Sequence, residues 1–148
     1  MFLLDINILI ALADGDHVHH VHHVHHDSAV VFFKQAMAHG WATCPLTENG
    51  FLRIMGHPRY DQGPGSPQEA RYLISSLCTV PGHQFWPDSI SLCDSSQFPT
   101  LPGSRHLTDY YLLALAIRHG AKLASFDQRI DPSHLEGGAS AYHVIHTA

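Results

Sequence analysis

The chain has 148 residues, an apolar fraction of 45% and a formal net charge of −5 at pH 7 with eight Lys and Arg. That length fits one domain burying roughly two thirds of its unfolded surface. No run reaches the roughly 18 apolar residues of a membrane span, and the acidic balance excludes a broad basic footprint for nucleic acid, so any phosphate contact must come from local basic residues and bound cations.

Met1-Phe2-Leu3-Leu4 reads as a short buried strand, because a strand covered on both faces needs no polar alternation. Asp5 follows at its carboxyl end, and the crevice outside the carboxyl ends of parallel strands is where ligands bind. No basic flank precedes the apolar start, so a signal peptide is not indicated and a cytoplasmic location is expected. Ile8, Leu9, Leu12 and Ala13 then recur at helical spacing, with Asn7 in the first turn.

Residues 17–26 hold seven of the fifteen histidines in a threefold Val-His-His repeat. On a helix His19, His22, His23 and His26 would share one face, a spacing at which imidazoles bind Zn²⁺ or Ni²⁺. The favoured reading is a tandem-repeat expansion inserted at a loop-to-helix junction, since low complexity is compositional evidence only. A His-rich metal-binding protein is the alternative it leaves open.

A helical stripe of Val30, Phe33, Ala36 and Met37 ends at Gly40, and 41–44 reads as a second buried strand. Pro45 opens a helix with Glu48 in its first turn, running to Gly56. After a loop rich in Pro and Gly, Ser66-Pro67-Gln68-Glu69 has the form of a capping box and predicts a helix over 67–78, with Ala70, Leu73, Ile74 and Leu77 toward the core. A strand is predicted at 84–86, and loop over 87–105 with a short helix at 89–93. Thr108 is the expected cap of the next helix, with Asp109 in its first turn, an apolar face of Tyr110, Leu113, Ala114 and Ile117, and Gly120 as its stop. Residues 122–126 and 142–146 read as strands, with Asp127 just beyond the first of them. Cys44, Cys78 and Cys93 lack metal-ligand spacing and are expected to be buried, reduced thiols.

Each acid alone has a simple explanation as a turn residue or a favourable first-turn charge. All four, however, fall at strand carboxyl ends or helix N-terminal turns, which a doubly wound sheet can bring to one edge. Carboxylates sharing a pocket raise one another's pKa unless a cation neutralises them, and oxygen ligands suit Mg²⁺ or Mn²⁺. The chemistry expected of such a group is metal-dependent hydrolysis of a phosphodiester.

The stretches Leu4-Asp5-Ile6-Asn7, Cys44-Pro45-Leu46-Thr47-Glu48-Asn49-Gly50-Phe51-Leu52-Arg53, Leu107-Thr108-Asp109-Tyr110-Tyr111-Leu112-Leu113-Ala114-Leu115-Ala116 and Ala124-Ser125-Phe126-Asp127 carry a resemblance. In order and spacing the chain resembles PIN-domain ribonucleases, in particular the VapC toxins of type II toxin-antitoxin pairs. Pro81-Gly82-His83-Gln84-Phe85-Trp86 is similar to one subgroup of them.

The resemblance implies a single three-layer α/β/α domain with a central parallel sheet. It implies Asp5, Glu48, Asp109 and Asp127 as the catalytic, metal-binding quartet for Mg²⁺ or Mn²⁺, with Asn7, Thr108 and Ser125 orienting carboxylates or water. It further implies cleavage of tRNA or ribosomal RNA, a homodimer and a cognate antitoxin. A PIN-like module that binds RNA without cutting it is a remaining alternative. Arg53, Arg105 and Arg129, near the acidic motifs, are candidates for RNA phosphates. Tyr110 and Tyr111 are candidates either for base stacking or for the core.

Overall fold

The computed structural model describes residues 1–14 and 23–147, apart from the side chains of His23 and Val24. Five short strands form one sheet: β1 (Phe2–Leu4), β2 (Trp41–Thr43), β3 (His83–Phe85), β4 (Lys122–Ser125) and β5 (Tyr142–Val144). Their order is β3-β2-β1-β4-β5 and every pairing is parallel. Sequence order therefore reverses between β1 and β4. In an open parallel sheet that reversal opens a crevice at the carboxyl ends of the two strands.

Helices cover both faces. Leu4, Trp41 and Ala124 point into one core, filled from α1 (Ile6–Ala13), α2 (His23–His39), α3 (Pro45–Met55) and α4 (Pro67–Leu77). Their strand neighbours Leu3, Ala42 and Leu123 point into the other, filled from α5 (Leu107–Arg118), α6 (Gly138–Ala141) and the segment carrying Trp86, Ile90 and Phe98. The two-residue period of a strand sorts adjacent apolar residues onto opposite faces, so a continuous apolar run suits a central strand here. The layers are the α/β/α sandwich that the resemblance implied.

Most predicted elements stand where the sequence puts them, and the differences have local causes. Residues 89–93 are not helical: Ser91 Oγ accepts from the Cys93 N–H at 3.1 Å and Asp94 Oδ1 from the Ser96 N–H at 2.9 Å. These side-chain bonds offer the backbone an alternative to a helical ladder. Thr108 is not the cap of α5. A 3₁₀ turn at Ser104–His106 runs directly into the helix, and the Leu107 N–H bonds to the Ser104 carbonyl, which satisfies that donor without a capping side chain.

On α5, Tyr110, Tyr111, Leu112, Leu113, Leu115 and Ala116 are all buried, a wider face than the predicted stripe, because the helix is covered by the 86–98 segment as well as by the sheet. On α4 Ala70 and Ile74 are buried and Leu77 packs partly buried against the same core, as expected, but Leu73 is exposed. Of the three thiols only Cys44 is buried, with Cys93 on the surface.

The helix carrying Phe33 begins at His23, several residues earlier than its apolar stripe. The end of the His-rich repeat is therefore helical. Its earlier part, including His19 and His22, lies outside the described residues. His26 packs back on α1, its Nδ1 2.8 Å from the Ala11 carbonyl oxygen. Gly40 ends α2 with φ at 86°, a conformation that favours glycine, and its carbonyl accepts from the Phe2 N–H at the start of β1. Among the described residues no helix is long and apolar enough to cross a membrane.

Candidate active site

The crevice between β1 and β4 is built around Ser125, fully buried at the end of β4. Its hydroxyl donates to Asp5 Oδ2 at 2.7 Å. The same oxygen accepts from Asn7 Nδ2 at 3.2 Å and from the Asp127 N–H at 3.0 Å. Asp5 Oδ1 accepts from the Ile6 N–H at 2.7 Å, so Asp5 both caps α1 and faces β4. Asn7 Oδ1 accepts from the Phe126 N–H at 3.3 Å, closing a polar bridge between the two strand ends.

Asp109, on the first turn of α5, joins this group from the other face of the sheet. Asp5 is pushed up to about 6, first by burial and then by the charges of Asp109 and Asp127, against the pull of the Ser125 hydrogen bond. Asp109 is also pushed up to about 6, by burial and by Asp127, with the Arg129 charge opposing.

Burial likewise acts upward on Asp127, but hydrogen bonds from the Arg129 N–H at 2.9 Å and Nε at 3.2 Å outweigh it and hold the carboxyl below its ordinary value. Tyr142, on β5, donates to the Asp127 carbonyl. Its hydroxyl is pushed to about 12 by burial and by the charges of Asp127, Asp109 and Asp5, so one side chain registers all three acids.

Glu48 enters from β2. The Cys44 N–H donates to Thr47 Oγ1 at 3.0 Å, which fixes the first turn of α3. Glu48 Oε2 accepts from the Thr43 hydroxyl at 2.8 Å. Its charge is felt by Cys78 and His83 on the β3 side, whereas Asp5, Asp109 and Asp127 act on one another at the ends of β1 and β4.

Of the remaining candidates, Thr108 is exposed on α5. Arg53 and Arg105 are exposed, and Arg129 is engaged with Asp127. Tyr110 and Tyr111 are 2% and 6% exposed and belong to the core, which leaves no ring face for stacking a base.

A cleft of about 530 Å³ opens beside the acids, with Asn7, Ile10, Phe126, Asp127 and Arg129 in its wall. A smaller hollow of about 330 Å³, lined by Arg53, His57 and Arg59, shares Ile54 and Tyr60 with it. Sequence reasoning missed Arg59, Thr43 and His83 as neighbours of the site. Arg59 sits in a loop with no periodicity to place it, and only the Pro-Gly-His stretch marked His83.

The donors at the crevice are carboxylate oxygens, which suit a hard divalent cation. Among the described residues no three His, Cys, Asp or Glu side chains converge closely enough to form a metal cage. Mg²⁺ keeps several waters and takes only one or two carboxylates directly.

The sequence was also compared with known proteins. No family model matches it. It is 40% identical over 127 residues to ribonuclease VapC38 of Mycobacterium tuberculosis, covering 86% of this chain and 85% of that one. It is 35% identical over 142 residues to ribonuclease VapC44 of the same organism, 95% of each chain, and 36% identical over 137 residues to ribonuclease VapC39, 91% and 94%. The chain belongs to the VapC ribonuclease family.

Proposed function

We propose that this VapC-family chain is a metal-dependent endoribonuclease toxin that hydrolyses phosphodiester bonds in RNA and is neutralised by a cognate antitoxin. The observation that carries the metal dependence is the pair Asp5 and Asp109, two carboxyls pushed up to about 6 beside a third, Asp127. Repulsion of this kind is relieved by a bound cation. One or two of Asp5, Asp109 and Asp127 would hold Mg²⁺ or Mn²⁺ directly and the others through its waters, with Glu48 as the fourth acid. Ser125 and Asn7 keep Asp5 and the Asp127 backbone in register, and Arg129 keeps Asp127 ionised. Such a cation, when bound, polarises a phosphoryl oxygen, lowers the pKa of an attacking water and neutralises charge on the leaving oxygen.

The RNA reading is supported by the cleft beside Asp127 and the hollow carrying Arg53 and Arg59, which offer local positive charge on a chain of net charge −5. A structured RNA of the tRNA or ribosomal class with an unpaired segment suits a cleft of this size. Action in the cytoplasm and a homodimeric state belong to the same proposal. The test is RNA cleavage by the purified chain with and without EDTA, beside Asp109→Asn. Cleavage lost in both arms supports the reading; cleavage unchanged in the variant overturns it.

A further inference from the structure

Thr43 is fully buried at the end of β2, and its hydroxyl oxygen lies 2.8 Å from Glu48 Oε2 and 2.8 Å from His83 Nε2. A hydroxyl has one proton, and an ionised carboxylate can only accept. The Thr43 proton therefore goes to Glu48, and the contact with His83 requires Nε2–H donating to Thr43. This fixes the neutral ring as the Nε2–H tautomer. A protonated ring would donate from the same atom, so the direction of the chain does not depend on the charge of His83.

Trp41 holds the ring in place, its centroid 4.6 Å away, across the register pair Trp41 and His83 of β2 and β3. Donors aligned head to tail also strengthen one another in a low-dielectric setting.

We propose that His83 and Thr43 are positioning residues for Glu48: the chain of hydrogen bonds from His83 through Thr43 fixes one carboxylate oxygen, so that the other is oriented toward a divalent cation. The inference rests on the reading of Glu48 as a cation ligand. It gives a role to the Pro-Gly-His stretch, which the acids do not explain. If the pair were only buried polar groups satisfying each other, their loss would lower stability and leave the cation affinity of the folded protein unchanged.

The experiment is calorimetric titration of Mg²⁺ into the full chain, with thermal unfolding in EDTA to establish that each variant folds. Imidazoles bind Mg²⁺ poorly, so the His-rich run stays silent. Glu48→Gln tests the ligand reading. His83→Phe keeps a ring against Trp41 and removes the donor, whereas His83→Gln places an amide N–H near the position of Nε2. Thr43→Val removes the link, and Thr43→Ser keeps it.

We expect His83→Phe and Thr43→Val to weaken Mg²⁺ binding by about tenfold or more, the usual scale for loss of an outer-shell partner, with His83→Gln and Thr43→Ser restoring most of it. Wild-type affinity in folded His83→Phe, with Glu48→Gln weakened, overturns the positioning role alone. Equal weakening in His83→Phe and His83→Gln also overturns it, by assigning the effect to ring packing. Wild-type affinity in Glu48→Gln overturns the ligand reading beneath it. Should His83→Phe fail to fold, the contrast between Thr43→Val and Thr43→Ser decides.

Discussion

Ser125 Oγ donates to Asp5 Oδ2 at 2.7 Å, tying the carboxyl end of β4 to that of β1 at the point where strand order reverses. The bond joins residues 120 positions apart, and the same oxygen accepts from Asn7 and the Asp127 backbone. Ser125→Ala removes the side-chain hydrogen bond that pulls Asp5 downward and leaves the Asp127 N–H without its acceptor. The expected loss is about 1–3 kcal/mol in urea unfolding, the cost of unsatisfied buried polar groups. Mg²⁺ affinity should fall by about tenfold or more. Unchanged affinity in the folded variant would show that Asp5 is oriented without Ser125.

Asp109 makes the metal-free protein sensitive to pH. Its folded pKa of about 6 lies above the unfolded value of 3.8, so the folded state keeps a proton that the unfolded state releases between these values. The associated stability is fully present below 3.8 and is lost as pH rises through 6. The side chain is 20% exposed, and the shift corresponds to at most roughly 3 kcal/mol. Asp109→Asn should match the wild type near pH 3.8 and become progressively more stable than it toward pH 7 in EDTA.

His83, His119 and His143, which burial depresses, act in the opposite sense, but they are common to both proteins and cancel in the difference. Adding Mg²⁺ should raise the wild-type melting temperature and close the gap. A gap independent of pH would contradict the raised pKa.

The sheet was legible because its central strands are buried on both faces and so appear as apolar runs closed by Asp5, Cys44-Pro45 or Asp127. The caps of α3 and α4 were legible because Pro and Ser have local jobs there. Thr108 misled because a 3₁₀ turn at Ser104–His106, after the 86–98 segment, runs straight into α5, and the Ser104 carbonyl takes the Leu107 N–H. Tyr110 and Tyr111 looked equally suited to surface or core until that same segment covered α5. That Asp5, Asp109 and Asp127 lie near enough to influence one another was foreseeable from strand ends alone, whereas the hub role of Ser125 and the His83 contact with Thr43 depend on side chains from different strands meeting. A sequence carries no spacing for that.

Gly50 illustrates a constraint of the same kind. A Cβ placed there would lie 2.2 Å from Ile6 Cδ1 and 2.8 Å from Cγ1, so α3 meets α1 through a glycine immediately beside Asp5. Gly50→Ala should destabilise the fold by about 1–3 kcal/mol through overpacking, despite the better helix propensity of alanine. Ile6→Ala in the same chain removes the colliding atoms, so the double variant should lose less than the two single losses added together, as double-mutant analysis of thermal unfolding would show. Strict additivity would mean that α3 shifts without strain.

The arginine-lined hollow makes a distinct claim about how RNA is held. Arg53 and Arg59 share it with Ile54 and Tyr60, which also border the cleft at Asp127. Arg105, on the 3₁₀ turn before α5, lines neither. If both hollow arginines contact phosphates of a single strand, each accounts for about 0.7 in the slope of log K against log salt. In a cleavage-deficient Asp109→Asn background, the pair Arg53→Ala and Arg59→Ala should lower that slope by about 1.4 and weaken binding across RNA sequences alike. Arg105→Ala should change it by less. Because the contacts are to phosphate, the effect should fade as salt is raised, and a loss of affinity that persists at high salt would instead place the role of these residues in packing of the α3 end.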